Sequence, residues 1–412
     1  MRRRLLPSSR SRMNVVLVAI IATLLLGTSL AAAALWPDSE QVQVRDRVDP
    51  AGSEILTVRV TDVTPIACSQ GAPEAAETQA APTDPAAEGG CLRVRASLPV
   101  GKPVTFTLDH TNSHPVTPRE GDQVRVITSS SAESGSANYY FYDYPRSGKM
   151  LTIAVVFALI VIFVGRWRGA LSLVGVATAV AVLVLFVLPA VLAGKPPILV
   201  AVTASVGIMT VVLYLAHGIS HRTTAALFGA MFGIVFTAVA GFGVTRWLRF
   251  SGIASTEDAS LLMSVPGLNM NDLLTATIVI AGLGVLNDIT VAQASAVWEM
   301  RELNPQASKR RLYQAAMRIG RDHIASSIYT LVFAYAGAML GVLLLIYTYP
   351  RDLIDLITSE QIGQEIVRTL IGAAGLVLSM PVTTALAVLF AREPEAGGAP
   401  AADADSALQR AS

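Results

Sequence analysis

One acidic residue is conspicuous for its surroundings. Asp288 lies in the run AGLGVLNDITVAQASAVWEM, residues 281–300, and on a helix it shares a face with Ala281, Gly284, Ala292, Ser295 and Glu299. A carboxylate inside a membrane helix costs on the order of 3 kcal/mol on insertion scales, which makes such groups functional candidates by default. Asn287, Thr290, Gln293 and Ser295 crowd the same stretch, an unusual density of polar groups for one span. Such a set suits reversible binding of a proton or a monovalent cation, since no Lys or Arg is placed mid-membrane to neutralise the carboxylate. A plainer role suits it too, in which Asp288 makes a structural hydrogen bond to a neighbouring helix.

The other reactive side chains form weaker patterns. His217 and His221 are four apart with Gly218 between them, and His110 and His114 sit in HTNSH, where Pro and Asn oppose a helix that would align them. The first pair has no cysteine or carboxylate near it and the second reads as a surface loop, so no metal site and no cofactor are expected. The two cysteines, Cys68 and Cys91, end TVRVTDVTPIAC and begin CLRVRASL. A disulfide between them suits an oxidising compartment, the alternative being two free thiols. There is no P-loop, no G-x-S-x-G and no H-E-x-x-H, so an enzyme is not expected.

The elements that must position these residues follow from composition. The 412-residue chain is 52% hydrophobic and 15% charged, where soluble domains carry about a quarter charged residues. Eight stretches are long and apolar enough to be read as membrane helices: 14–35, 150–165, 170–193, 197–216, 223–245, 273–297, 324–347 and 366–391. Basic residues set their direction. With the N-terminus inside, the cytoplasmic segments collect Arg2, Arg3, Arg4, Arg10, Arg12, Arg166, Arg168, Arg222, Arg301, Lys309, Arg310, Arg311, Arg318, Arg321, Arg392 and Arg410. The short outer loops hold only Lys195, Arg246, Arg249 and Arg351. Both termini are therefore expected in the cytoplasm, and the first span is read as an uncleaved anchor rather than a signal peptide. The net charge of +1 leaves no basic surplus for nucleic acid, and the lipid bilayer is the expected partner of the basic clusters.

This divides the chain into a basic N-terminus (1–13), an anchor (14–36), an extracytoplasmic β domain (37–149), a seven-helix membrane domain (150–391) and a disordered cytoplasmic tail (392–412). In the β domain, 41–47, 54–68, 91–98, 102–109, 122–128 and 138–144 alternate apolar and polar residues in the manner of a small antiparallel barrel. Residues 70–90 are Ala/Pro/Glu-rich and too poor in large apolar groups to pack, so a flexible loop is expected. The fold class is an α-helical polytopic membrane protein with one small β-rich, barrel-like domain.

Small residues mark where helices approach. Gly229, Gly233, Thr237, Gly241 and Thr245 recur every four residues in the fifth span. Ser326, Thr330, Ala334 and Ala338 do so in the seventh, with Gly341 three further on, Gly337 beside them and Gly284 in the sixth. Such stripes let backbones pack closely. After the sixth span, ELNPQASKRRLYQAAMRIGRDH reads as a basic interfacial helix opening near Asn304 and Pro305. Pro381, followed by Thr383 and Thr384, is either a hinge in the last span, where a kink would release a backbone carbonyl, or a residue without consequence.

Taken in order, the anchor, the β domain, YYFYDYPR, AGLGVLNDITVAQASAVWEM, TLVFAYAGA and EIVRTLIGAAGLVLSMPVT resemble the YibE/F family of bacterial membrane proteins over about residues 40–392. That resemblance implies a multi-pass protein of the bacterial plasma membrane and carries little chemistry. Residues 282–303 and 315–333 also resemble the carboxylate helix and following helix of SecF and MMPL proteins of the resistance-nodulation-division superfamily. This second resemblance implies an ion-linked role for Asp288, although the chain has eight expected spans where a half-unit there has six. The leading expectation is an ion-coupled secondary transporter or export component moving an unidentified substrate. The alternative is a non-transporting scaffold or envelope assembly factor that binds a protein partner through its β domain.

Overall fold

The computed structural model describes residues 9–37, 54–67, 90–99, 101–109, 117–130, 137–265, 267–348 and 352–391. The expected strand at 41–47, residues 70–89 of the expected loop, Cys68, His110, His114 and the tail at 392–412 lie outside the described residues, and Gly90, the last residue of that loop, opens a strand. The chain separates into two units, Asp46–Ile160 and a second built from Met1–Arg45 with Val161–Ser412.

The first unit holds five antiparallel strands: β1 (Ile55–Ala67), β2 (Gly90–Ser97), β3 (Pro103–Asp109), β4 (Gln123–Ser130) and β5 (Ala137–Asp143). Their order in the sheet is β3-β2-β1-β4-β5, so the longest strand is central. Alternation determines the core, since side chains two apart share a face. Val58, Val60, Leu92, Val94, Ala96, Val104, Phe106, Leu108, Val124 and Val126 are buried together. The sheet curls until the Phe106 ring of β3 and the Phe141 ring of β5 stand 6.3 Å apart. Among the described residues it is a half-barrel, because β3 and β5 share no ladder. Irregular pairing between Val60 and Asp62 and between Arg125 and Val126 helps it bend.

The second unit is helical. It contains α1 (Ser9–Ala34), α2 (Ser147–Val182, which begins in the first unit), α3 (Leu188–Leu192), α4 (Pro197–His217), α5 (His221–Trp247), α6 (Thr256–Ser264) and α7 (Met270–Leu303). Beyond these run α8 (Lys309–Ala338), α9 (Leu340–Tyr347), α10 (Leu353–Ile357) and α11 (Glu360–Phe390). Among the described residues, five helices are long and apolar enough to cross a membrane, or six if α8 and α9, bent by 63° at their junction, form one span. Several apolar helices of spanning length are therefore present, as expected of a multi-pass chain. The expected second and third spans lie in one helical run of 46 residues, Ser147–Leu192, and the expected first span lies in α1. At 1.5 Å per residue that run would reach about 69 Å, twice the roughly 30 Å of hydrocarbon. It is not straight: Arg166 has φ 52° and ψ −138°, and Gly169 comes up against the Val161 carbonyl, a pair that a straight helix would hold about 12 Å apart.

Inside this unit α5, α7 and α11 form the centre, with α4 and α8 on its flanks. Gly229 of α5 meets Thr383 of α11, Gly233 meets Leu286 of α7, Gly375 meets Thr237, and a Cβ at Gly241 would stand 3.2 Å from the Thr275 methyl. Gly284, Gly337 and Gly341 face open space and mediate no close approach among the described residues. α11 continues through Pro381, and the Ser379, Thr383 and Thr384 hydroxyls around it donate to carbonyls of their own helix, which keeps these buried groups satisfied. A π-helical turn at Leu183–Val187 precedes Pro189, which cannot supply an amide to the helical ladder.

Candidate functional site

The polar residues of α7 do not converge. Gln293 is buried and its amide donates to the Ala316 carbonyl at 3.0 Å and to the Thr384 hydroxyl at 2.8 Å, tying α7 to α8 and α11. Thr290 is buried and donates to the Leu286 carbonyl of its own helix at 2.7 Å. Asn287 is half-buried with its Oδ1 enclosed and without a partner among the described residues. Ser295 borders a very small recess beside His217, Arg222 and Thr223. Asp288 points the other way and is exposed, as are Gly284 and Glu299 on the same stripe. Adjacent helical residues are about 100° apart, so Asn287 and Asp288 face different directions.

A different set of residues does converge, at the end of the bundle where α7 and α11 begin. A recess of about 240 Å³ is lined by Asp258 of α6, Thr277 of α7, Met339 between α8 and α9, and Gln364, Glu365 and Arg368 of α11, among others. Arg368 lies eight positions into α11, about 12 Å from its start, and its Nη1 donates to Glu365 Oε1 at 2.9 Å. These two side chains are only about one fifth exposed, and Glu365 Oε2 and Arg368 Nε are enclosed with no partner among the described residues. The pair is thus incompletely satisfied, which is costly for buried charges.

The wall of the recess is firmly built. Glu360 Oε1 accepts from the Ser251 amide at 2.7 Å, the Gly252 amide at 3.1 Å, the Ser251 hydroxyl at 3.1 Å and the Gln364 amide at 2.7 Å. One carboxylate oxygen therefore anchors the loop after α5 to α11. Gly252, at φ 84°, presses against the backbone of Met270 and Asn271, where a side chain would not fit. Ser255 and Asp258 form a reciprocal cap on α6: the Ser255 hydroxyl accepts from the Asp258 amide at 3.2 Å, and Asp258 Oδ2 accepts from the Ser255 amide at 3.0 Å. Arg246 reaches across to Asp272 at 2.6 Å and also stacks on Phe242. Glu257, on the first turn of α6, is held below the usual carboxylate range, first by a hydrogen bond from its own backbone and then by Ser255 and Thr256.

Sequence reading passed over this recess because Glu365 falls just before the apolar stretch 366–391, and Arg368 at its rim resembles an ordinary interfacial cation. The available signal was the pair itself, Glu365 and Arg368 at i, i+3 in EIVR, where one helical face carries both charges. In the β unit, Cys91 pairs across from Ile66 of β1 and is disulfide-bonded, while Cys68, the only other cysteine in the chain, lies outside the described residues. Among the described residues no group of three or more His, Cys, Asp or Glu could hold a metal ion.

No curated protein and no solved structure matches the chain. A family model described as YibE/F-like protein matches residues 153–393, a stretch that includes Asp288, Glu365 and Arg368 but not the β strands. With more than half of its length matched and its apolar helices in that stretch, the chain belongs to the YibE/F-like family of proteins.

Proposed function

We infer that the protein is an ion-coupled secondary transporter or export component of the bacterial plasma membrane, with both termini cytoplasmic and the β unit outside. The observation that carries this reading is the coincidence of a helix break and a charged pair at one recess: Met339, at the 63° bend between α8 and α9, shares its lining with Glu365 and Arg368. Non-helical backbone at membrane depth is tolerated where it borders a cavity, and discontinuous helices commonly build the ion and substrate sites of transporters. The sharp break at Arg166 is then a cytoplasmic turn between two crossings, in keeping with Arg166 and Arg168 among the inner basic residues.

In this reading Glu365 binds the proton or monovalent cation, and Arg368, bonded to one of its oxygens, positions the carboxyl. Asp288, exposed on another face of α7, serves as a secondary candidate. The test is ion flux in liposomes reconstituted with the full chain. Glu365→Gln is expected to reduce cation- or pH-driven flux about tenfold or more, the scale of losing one charge-assisted interaction. Flux equal to wild type in Glu365→Gln removes the recess from the mechanism. Loss in Asp288→Asn alone transfers the role to that residue.

A scaffold role has one observation in its favour. Tyr140 and Tyr142 on the edge strand β5 are about half exposed, and large aromatic side chains of that kind are enriched in protein interfaces. Absence of any ion-dependent flux, together with capture of a defined envelope protein that Tyr140→Ser and Tyr142→Ser abolish, would favour it.

A further inference from the structure

Arg301 is the last basic residue of α7 and is 95% buried, its relative exposure being 5%. Its Nη1 donates to the Ala307 carbonyl at 2.7 Å and the Pro305 carbonyl at 3.3 Å, so one corner of the guanidinium holds the turn between α7 and α8. The opposite edge, Nε and Nη2, is shielded from water and has no hydrogen-bond partner among the described residues. Among the described residues, ion pairs join Arg146 to Asp143, Arg246 to Asp272 and Arg368 to Glu365, and none involves Arg301. Glu299 and Glu302, exposed on the same turn, therefore do not neutralise it.

Such an edge has a chemical meaning. Nε–H and Nη2–H are parallel donors spaced to meet two oxygens of one oxyanion, and a buried arginine lacking that partner is strongly disfavoured. The neighbourhood selects the anion. Ser308 accepts from the Arg311 amide at 3.4 Å and opens α8, whose first residues Lys309, Arg310 and Arg311 are all exposed. A cationic helix start beside a free guanidinium edge favours a phosphate over a single carboxylate. Trp298 and Tyr313, half-buried in the adjoining cluster, and Leu303, exposed, supply the aromatic and apolar contacts found at the headgroup level of a bilayer.

We propose that the Nε–Nη2 edge of Arg301 is the seat for a phosphate oxyanion, which Lys309, Arg310 and Arg311 attract to the end of α7. A phospholipid headgroup and free phosphate share this chemistry. The lipid source rests on the inner placement of this turn; the seat itself does not depend on the recess at the other end of α7.

The full chain, purified in detergent, is titrated with dioleoylphosphatidylglycerol, with dioleoylglycerol (which has the same chains without phosphate) and with sodium phosphate. Native mass spectrometry and thermal unfolding read the result. Saturable binding of the phospholipid about tenfold tighter than dioleoylglycerol, and weakened about tenfold in Arg301→Lys, supports a lipid phosphate. Lysine keeps the charge and can still reach the loop carbonyls but lacks the fork, so a folded Arg301→Lys protein isolates the edge. Stabilisation by sodium phosphate that Arg301→Lys abolishes, without preference for the phospholipid, supports a free anion. Equal binding of both lipids with no effect of phosphate overturns the proposal, as does unchanged phosphate binding in Arg301→Lys. A phosphate effect that emerges only when the chain ends at Ala391 also overturns it, since the edge would then belong to Glu393 or Glu395.

Discussion

Close contact between α5 and α11 rests on single atoms. A Cβ added at Gly229 would overlap the Thr383 hydroxyl and lie 2.8 Å from the Thr383 Cβ and 3.2 Å from its Cα, so the two helices would have to separate. Gly229→Ala is therefore expected to destabilise the protein by about 1–3 kcal/mol, measured as a lower Tm in detergent. Gly284→Ala, with nothing within 4 Å, is expected to be neutral or to stabilise by up to about 1 kcal/mol through helix propensity. Equal losses in both would contradict the observed seating of α5. Both glycines look alike in sequence. Spacing of four identifies a stripe of small residues, but it does not reveal whether another helix lies on it. Asp288 illustrates the same limit: its rarity in an apolar run is visible in the sequence, but the direction it faces depends on how α7 is rotated against α5 and α11. Gln293→Leu removes two hydrogen bonds between helices and is expected to cost about 1–2 kcal/mol in the same assay.

Element boundaries were more legible than element continuity. The strands at 55–67, 90–97, 103–109, 123–130 and 137–143 fall within a residue or two of the alternating segments, because a half-buried sheet writes its period of two directly into the chain. Hydropathy, by contrast, registers apolar length and is blind to a single residue of unusual backbone geometry such as Arg166, or to the bend at Met339. The recess was hidden for a related reason: its lining comes from α6, α7, the α8–α9 junction and α11, which no local pattern connects. One prediction belongs to this scale. Non-reducing mass spectrometry of the membrane fraction is expected to recover Cys91 linked to Cys68, and reduction is expected to lower the stability of the β unit by about 2–4 kcal/mol. Full alkylation of both thiols without prior reduction would contradict it.

At the scale of the whole molecule the testable quantity is sidedness. Reporters fused after Asp49 and after Arg410 are expected on opposite sides of the membrane, the second in the cytoplasm, because sixteen Lys/Arg fall in the segments assigned inside and four in the short outer loops. Both reporters on one side would require an odd span to be added or removed, and the Arg166 turn would be the first to reconsider. The order β3-β2-β1-β4-β5 has a temporal consequence for the same molecule. β1 meets β2 and, through β2, β3 soon after they are made, but its other edge waits for β4: Ile55 pairs with Ile127, a partner 72 residues later, from 127 − 55. Loop-closure entropy makes such a distant pairing slow. Until it forms, β1 keeps an unpaired edge capable of adding a foreign strand. Assembly of this protein is therefore most vulnerable in the interval between synthesis of β3 and arrival of β4, and a chaperone that shields strand edges would act in that interval.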